Sequence, residues 1–387
     1  MPVESGTDAL TGSVDERPFM QRALELARRG LYTTDPNPRV GCVLVRDGVI
    51  VGEGWHQWAG QAHAEVAALA DAGANAHGAT AYVTLEPCCH YGRTPPCTDA
   101  LIAAGVRRVV AAMQDPNPRV AGQGLVRLAR AGIETGSGLL ETEARQLNPG
   151  FCQRMTTGLP WVRSKLASSL DGRTALLNGE SRWISGEASR QDVHRLRARS
   201  SAILTGIDTV LADDARLTVR LESADTPVNP PLRVVLDSRL RLPAHAALCD
   251  GSAPTLVITT APDSSRGGAR LPDTVRVARV RADSAGRPHL AAVLALLGEE
   301  GCNEVMVEAG AGLNGALLQA GLVDEWIIYL APVILGDQAR GLFHLPTLTR
   351  MADRYALQIS EVTRMGADIR LTLTRYPAPS SSNPITH

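Results

Sequence analysis

The sequence predicts an α/β protein of two domains, and three observations predict it. From residue 16 to about residue 150, short apolar strand segments alternate with helical ones, the order expected of a three-layer α/β domain. Around "RMTTGLP" that alternation breaks, and a second strand-and-helix run begins at "PWVRSKLASSLDG". A chain of 387 residues is also long enough to bury two cores. The expected division is a loose tail at 1–15, a first domain at 16–155, a second at 160–376 and a second tail at 377–387.

The elements follow in order. "RPFMQRALELARRG" sets Met20, Ala23, Leu24 and Ala27 on one helical face and stops at Gly30, a residue suited to a left-handed cap. "VGCVLVRDGVIVGEGW" reads as a hairpin turning at Asp47-Gly48. Helices and strands then alternate through "HAEVAALADAG", "TAYVTLE", "CTDALIAAG", "RRVVAAM", "GLVRLARAG" and "IETGSG". The hexapeptide "DPNPRV" stands at both 35 and 115, but its flanks differ, so both copies read as Asn-Pro loop turns rather than as a repeat. In the second domain the strands are "AILTGI", "LRVVLDS", "TLVITT" and "VRVARV", then a helix near 289–299 and the strand "EVMVEAG". "EWIIYLAPVIL" and the pair "ALQISEVTR" and "DIRLTLTRY" close the domain.

Composition excludes several classes of partner. With 39 basic and 40 acidic residues no global field draws in a polyanion, so nucleic acid is not an expected partner. Seven cysteines, an odd number, behind a polar first fifteen residues argue against a secreted disulfide framework and for the reducing cytoplasm. No stretch reaches the roughly 18 uninterrupted apolar residues of a membrane span, so no membrane is expected either.

The chemistry concentrates in "HAE" and, a little later, "LEPCCHYGRTPPC". A zinc that performs hydrolysis takes three protein ligands and keeps its fourth position for water. His63 with two cysteines supplies such a set, and Glu65, two residues on, is free to move protons. The zinc-deaminase pattern is His-x-Glu followed by Pro-Cys-x-x-Cys. "HAE" and "EPC" fit it, whereas the next cysteines after Cys88 are Cys89, adjacent, and Cys97. Neighbouring cysteines do not easily reach one tetrahedral ion, so Cys88 and Cys97 form the better pair, each preceded by a proline that suits a helix entry. The alternative is a closed structural zinc that recruits Cys89 or His90 and leaves Glu65 without a role.

The second domain carries Gly310-x-Gly312-x-x-Gly315 directly after an apolar strand and at a helix start, where a turn can cradle phosphate. A Rossmann order is not expected, because Asp324 and Glu325 come sooner than the acid of that fold.

Taken together, "DPNPRVG", "HAE" and "LEPCCHYGRTPPCTDALIAAG" resemble the deaminase half of the bifunctional riboflavin-biosynthesis deaminase/reductase family. "KLASSLDGRTA", "GESRWIS", "TVLADDARLTVR" and "VEAGAGLNGALL" resemble its reductase half, and the likeness runs from about residue 16 to 375. The resemblance implies a cytidine-deaminase-like three-layer domain followed by a dihydrofolate-reductase-like domain. It implies deamination of a pyrimidine ribosyl phosphate with zinc, then reduction of the ribosyl unit to ribityl with NADPH, in a homodimer or larger homo-oligomer. It places zinc on His63, Cys88 and Cys97, the proton shuttle at Glu65 and the pyrimidine edge at Asn37, which could otherwise simply cap a turn. Substrate positions by the same resemblance are Ser181, Arg197, Leu217, Arg220 and Glu308. Cofactor positions are Ala167, Trp183, Thr209, Asp213, Ser238 and the turn Gly310, Ala311, Gly312, Leu313, Asn314, Gly315 and Ala316.

Hydride transfer leaves charge on an oxygen, and Lys165 or Asp213 could supply the proton, although Asp213 and Asp214 could instead cap a turn. Arg195 and Arg199 read as ordinary surface charge. Three positions depart from the family pattern: Gln123 for a basic residue, Ala62 for proline and Ser168 for methionine. The first weakens one expected phosphate contact. The rival readings are a nucleic-acid base deaminase with an accessory reductase-like domain, and a zinc-stabilised interaction protein without activity. The first lacks a basic track and has only 4% aromatic residues for stacking, while the second leaves Glu65 unexplained.

Overall fold

A computed structural model of the chain describes residues 15–91, 95–118, 120–223, 225–262 and 271–375; the two expected tails lie outside these apart from Asp15. The described residues form two compact units, one drawn from 15–34 and 38–148, the other from 35–37 and 149–375.

In the first unit the elements are α1 (Arg17–Arg28), β1 (Gly41–Arg46), β2 (Val49–Trp55), α2 (Ala64–Ala72), β3 (Thr80–Val83), α3 (Cys97–Ala103), β4 (Arg108–Ala111), α4 (Gln123–Arg130), β5 (Glu134–Ser137) and α5 (Glu141–Leu147). The strands make one sheet in the order β2-β1-β3-β4-β5. β1 is antiparallel to β2 and β3, and β3, β4 and β5 run parallel. Asp47 and Gly48 both have positive φ, 53° and 77°, the conformation of a tight hairpin turn matched to strand twist.

Close approach of helices to this sheet is written in its glycines. A Cβ on Gly41 would lie 2.0 Å from the Ala23 carbonyl of α1, and one on Gly54 would lie 2.3 Å from the Ala68 nitrogen of α2. Gly54 pairs with Cys42, so the two glycines face opposite sides of the sheet, and the helices form the outer layers. Met20, Ala23, Leu24 and Ala27 are all buried, as their spacing predicts. Gly30 is a correction: it does not adopt the left-handed conformation, and a Cβ there would meet the His56 carbonyl at 2.7 Å. Packing, not capping, selects it.

The second unit contains α6 (Pro149–Thr157), β6 (Trp161–Ser169), β7 (Arg173–Ala175), α7 (Glu187–Arg199), β8 (Ala202–Gly206), α8 (Ile207–Asp213), β9 (Leu232–Leu236), β10 (Thr255–Thr259), β11 (Val275–Arg279), α9 (Leu290–Glu299), β12 (Glu304–Val307), α10 (Ala311–Ala320), β13 (Glu325–Ala331), β14 (Arg340–Gly341), β15 (Leu357–Met365) and β16 (Asp368–Arg375). Its main sheet has the order β11-β10-β9-β8-β12-β6-β13-β16-β15. The strands from β11 to β13 are parallel; β16 and β15 close one side antiparallel. Val162, Leu166, Leu204, Val234, Val305, Leu317 and Trp326 anchor the larger core. Because β6, β8, β9 and β12 run parallel, their C-terminal ends open onto one edge, where an α/β sheet offers its crevice.

Candidate active sites

In the first unit the ends of two helices and one loop meet. His63 caps α2 with extended backbone (φ -73°, ψ 164°), and Cys97 is the first residue of α3 behind Pro96. Cys88 comes from the loop that follows β3. His63 Nδ1 lies 3.2 Å from Cys97 Sγ and 3.7 Å from Cys88 Sγ, and the three ligand atoms all lie within 4.8 Å of one another. The Cys97 backbone N–H also donates to Cys88 Sγ at 3.3 Å. Hydrogen bonds from Cys97 and His63 hold the Cys88 thiol down at about 4 despite its burial, while the same bond to Cys88 pushes Cys97 up. His63 and Cys97 stand at helix entries, whereas Cys88 lies in the loop and not at the helix entry that Pro87 suggests; one nitrogen and two sulfurs are nonetheless a donor set that fits zinc. Among the described residues neither Cys89 nor His90 joins this cluster, which leaves three protein ligands, the number of a catalytic site.

Glu65 stands in the first turn of α2, only 3% exposed, and burial raises its carboxyl to about 7. An acid with that value exchanges protons at neutral pH. Two residues that the motifs did not single out hold the centre in place. His56, buried, contacts the Ala62 carbonyl through Nδ1 at 3.0 Å and sets its ring edge-on to His63 at 5.4 Å. Glu86, also buried, accepts four backbone N–H bonds from the 115–125 segment. Asn37 is half-buried in the 35–37 segment that groups with the second unit.

In the second unit the expected residues collect at the C-terminal edge of the parallel strands. Arg197 of α7 grips Glu308, just past β12, with Nε to Oε1 at 2.5 Å and Nη2 to Oε2 at 2.8 Å, and donates from Nη1 to the Thr218 carbonyl at 2.9 Å. Burial opposes ionisation of Glu308, but Arg197 overrides it and holds the carboxyl below its usual value. Lys165, half-buried on β6, feels the charges of both and is lowered chiefly by burial. Exposed Arg220 donates its backbone N–H to His194 Nδ1 at 3.2 Å; His194, unflagged by any motif, is pushed down to about 4 by burial and by Arg197 and Arg220.

Other expected residues divide by what they can present. Thr209 lies on α8, Asp213 ends it exposed, Ser238 follows β9, Ala167 lies on β6 and Ser181 is half-buried. Trp183 is 72% exposed beneath the Arg190 guanidinium, 4.8 Å from its ring centre. The side chain of Leu217 is in the core with Ile203 and Val210, so only its backbone, at φ 52°, is available to a ligand. In the glycine turn, Gly310 caps α10 and a Cβ at Gly310 or Gly312 would meet nothing within 4 Å, leaving room against the N–H groups of Ala311, Gly312 and Leu313. Gly315 differs: its Cβ would lie 2.0 Å from the His344 carbonyl. Asn314, fully buried, accepts from Ser164 Oγ and donates to the Ala309 carbonyl, each at 2.7 Å, so its side chain braces the turn; Ala316 is the next residue along the helix. The open turn fits a phosphate-bearing cofactor.

The family model of the RibD C-terminal domain matches residues 160–371, and that of the cytidine and deoxycytidylate deaminase zinc-binding region matches residues 13–113. The riboflavin biosynthesis protein RibD of Escherichia coli is 52% identical over 364 residues, covering 92% of this chain and 98% of its own. This chain belongs to the RibD family. The RibD protein of Bacillus amyloliquefaciens is 45% identical over 92% of this chain and 95% of its own. Among solved structures, RibD of Acinetobacter baumannii matches with a TM-score of 0.86 at 47% identity, covering 93% of this chain and 99% of that one. A diaminohydroxyphosphoribosylaminopyrimidine deaminase/5-amino-6-(5-phosphoribosylamino)uracil reductase of Thermotoga maritima matches at 0.82 and 33% identity, covering 93% and 98%. The family's deaminase-like and reductase domains are thus both present, in that order. No helix among the described residues is long and apolar enough to cross a membrane.

Proposed function

We propose that this member of the RibD family, a bifunctional deaminase and reductase of riboflavin biosynthesis, acts in two steps on one pyrimidine ribosyl phosphate. The first replaces a ring amine by oxygen and releases ammonia; the second reduces the ribosyl unit to ribityl with NADPH. The observation that carries the reading is the His63, Cys88 and Cys97 cluster with buried Glu65 two residues from its histidine. Deaminase residues fall within 16–155 and reductase residues within 160–376, and the chain works as a cytoplasmic homo-oligomer.

His63, Cys88 and Cys97 hold zinc, which when bound supplies a Lewis acid that acidifies water. Glu65, poised near 7, accepts a proton from the attacking water and returns one to the leaving nitrogen, which departs as ammonia. Asn37 reads the pyrimidine edge by donating and accepting through one amide.

In the reductase half, NADPH supplies the hydride when bound. The Ala311, Gly312 and Leu313 N–H groups would hold its phosphates, with Asn314, Gly315 and Ala316 shaping the helix behind them. Ala167, Trp183, Thr209, Asp213 and Ser238 complete its site. Arg220 and the Arg197–Glu308 pair orient the sugar phosphate together with Ser181 and the Leu217 backbone. Lys165, whose ammonium burial makes more acidic, gives its proton to the ring oxygen of the ribosyl unit as the bond from that oxygen to C1 breaks and C1 takes up the hydride.

The test is ammonia release from the diaminopyrimidine ribosyl phosphate by zinc-loaded protein without NADPH, followed by NADPH consumption once cofactor is added. Release and then consumption support the reading. A folded, metal-filled protein that releases none overturns the first half.

A further inference from the structure

Helix α4 lies outside the metal-ligand cluster, yet its contacts converge on both cysteine-bearing segments. Its start is tied to Glu86, two residues before Cys88. Oε2 of that buried carboxylate accepts from the Asp115 N–H at 3.0 Å and the Gly122 N–H at 2.9 Å. Oε1 accepts from the Gly124 N–H at 2.8 Å and the Leu125 N–H at 3.3 Å. The carboxylate therefore satisfies N–H groups that the first turn of α4 leaves without a helical partner, and it lies where the helix dipole favours negative charge.

An independent observation places the same helix against the ligand segment. A Cβ on Gly124 would lie 2.1 Å from the Pro87 carbonyl, the residue immediately before Cys88. No positive φ demands glycine at 124, so it is the closeness of the two backbones that excludes a side chain. One turn along α4, Arg127 donates from Nη1 to the Cys89 carbonyl at 3.1 Å and pairs through Nη2 with Asp99 at 2.5 Å. Asp99 lies in the first turn of α3, which Cys97 opens.

We propose that Glu86 is a positioning residue that docks α4 and, through it, fixes the spacing of Cys88 and Cys97. It touches neither ligand atom. This rests on the deaminase reading above, because a spacing matters only if the two sulfurs share an ion. Supports of this kind change metal affinity or activity by about 10- to 100-fold when removed. A carboxylate with four donors is also not replaceable by an amide, since the NH₂ end of glutamine would face two of those donors.

The test uses the full-length chain in Glu86→Gln and Gly124→Ala forms, each loaded with Zn2+ for chelator competition and separately with Co2+ for absorption spectra. Both variants are expected to lose zinc to the chelator about 10- to 100-fold more readily and to shift the cobalt–thiolate bands. Deamination kcat should fall more than KM rises. NADPH-dependent reduction by the same molecules is expected unchanged and reports on the second unit, while circular dichroism matching wild type reports that the first unit has folded. If Glu86→Gln fails to fold, Gly124→Ala, which keeps the carboxylate, decides alone. Wild-type zinc retention and cobalt spectra in a folded variant overturn the positioning role. A wild-type chain that neither retains zinc nor releases ammonia overturns the deaminase reading instead.

Discussion

The metal centre and the reductase edge are built in opposite ways. His63, Glu65, Cys88 and Cys97 span 35 positions and meet because two of them stand at helix entries beside one loop. At the reductase edge, Lys165, Arg197, Arg220 and Glu308 are spread over 144 positions and converge through α7 and the ends of parallel strands β6 and β12. A short-range site leaves a motif with chemistry in it. A long-range site leaves ordinary residues whose meaning is the sheet order.

That difference predicts separable damage. Stripping zinc with a chelator should abolish ammonia release and leave NADPH-dependent reduction of the deaminated intermediate intact; parallel loss of both rates would break the comparison. Lys165→Met should lower the reduction rate by about 10²- to 10⁴-fold, the range of a lost general acid, with ammonia release unaffected. A Lys165→Met chain that reduces at the wild-type rate would remove that lysine from the mechanism.

The glycine turn offers a smaller test. Gly315→Ala forces a Cβ against the His344 carbonyl and should cost about 1–3 kcal/mol in urea unfolding of the reductase unit. Gly312→Ala meets nothing and should leave unfolding unchanged while weakening NADPH binding by filling the phosphate cradle. Equal stability of the two variants would contradict the division of the turn into packing and binding glycines.

The smallest effect concerns His194. Its value is about 4 in the folded chain against an ordinary 6.5, so between those limits the unfolded chain binds a proton that the native chain does not. Stability therefore falls as pH falls through that window. His194→Gln should flatten this limb of the pH–stability profile relative to wild type, and an unchanged slope would contradict its burial beside Arg197 and Arg220.

How much was legible in the sequence follows the same divide. Hydrophobic spacing located α1, and Asp47-Gly48 located the hairpin, because both signals are local. Helix α7 carries no comparable signal: Val193 and Leu196 are buried among charged residues, and Arg197 acquires its partner only through Glu308, 111 positions away. Glu86 was invisible as a support for a similar reason. Its four donors arrive from residues 29 to 39 positions further on, and only the fold shows that they point at one carboxylate.

The central claim is that Glu65 is the proton carrier of the first step, beside the His63, Cys88 and Cys97 set that would hold zinc. The most direct measurement is ammonia release by zinc-loaded Glu65→Gln beside wild type, without NADPH, with bound zinc quantified in both. The account predicts about 10²- to 10⁴-fold slower release with full zinc occupancy. Release at the wild-type rate from a metal-filled Glu65→Gln chain would contradict it.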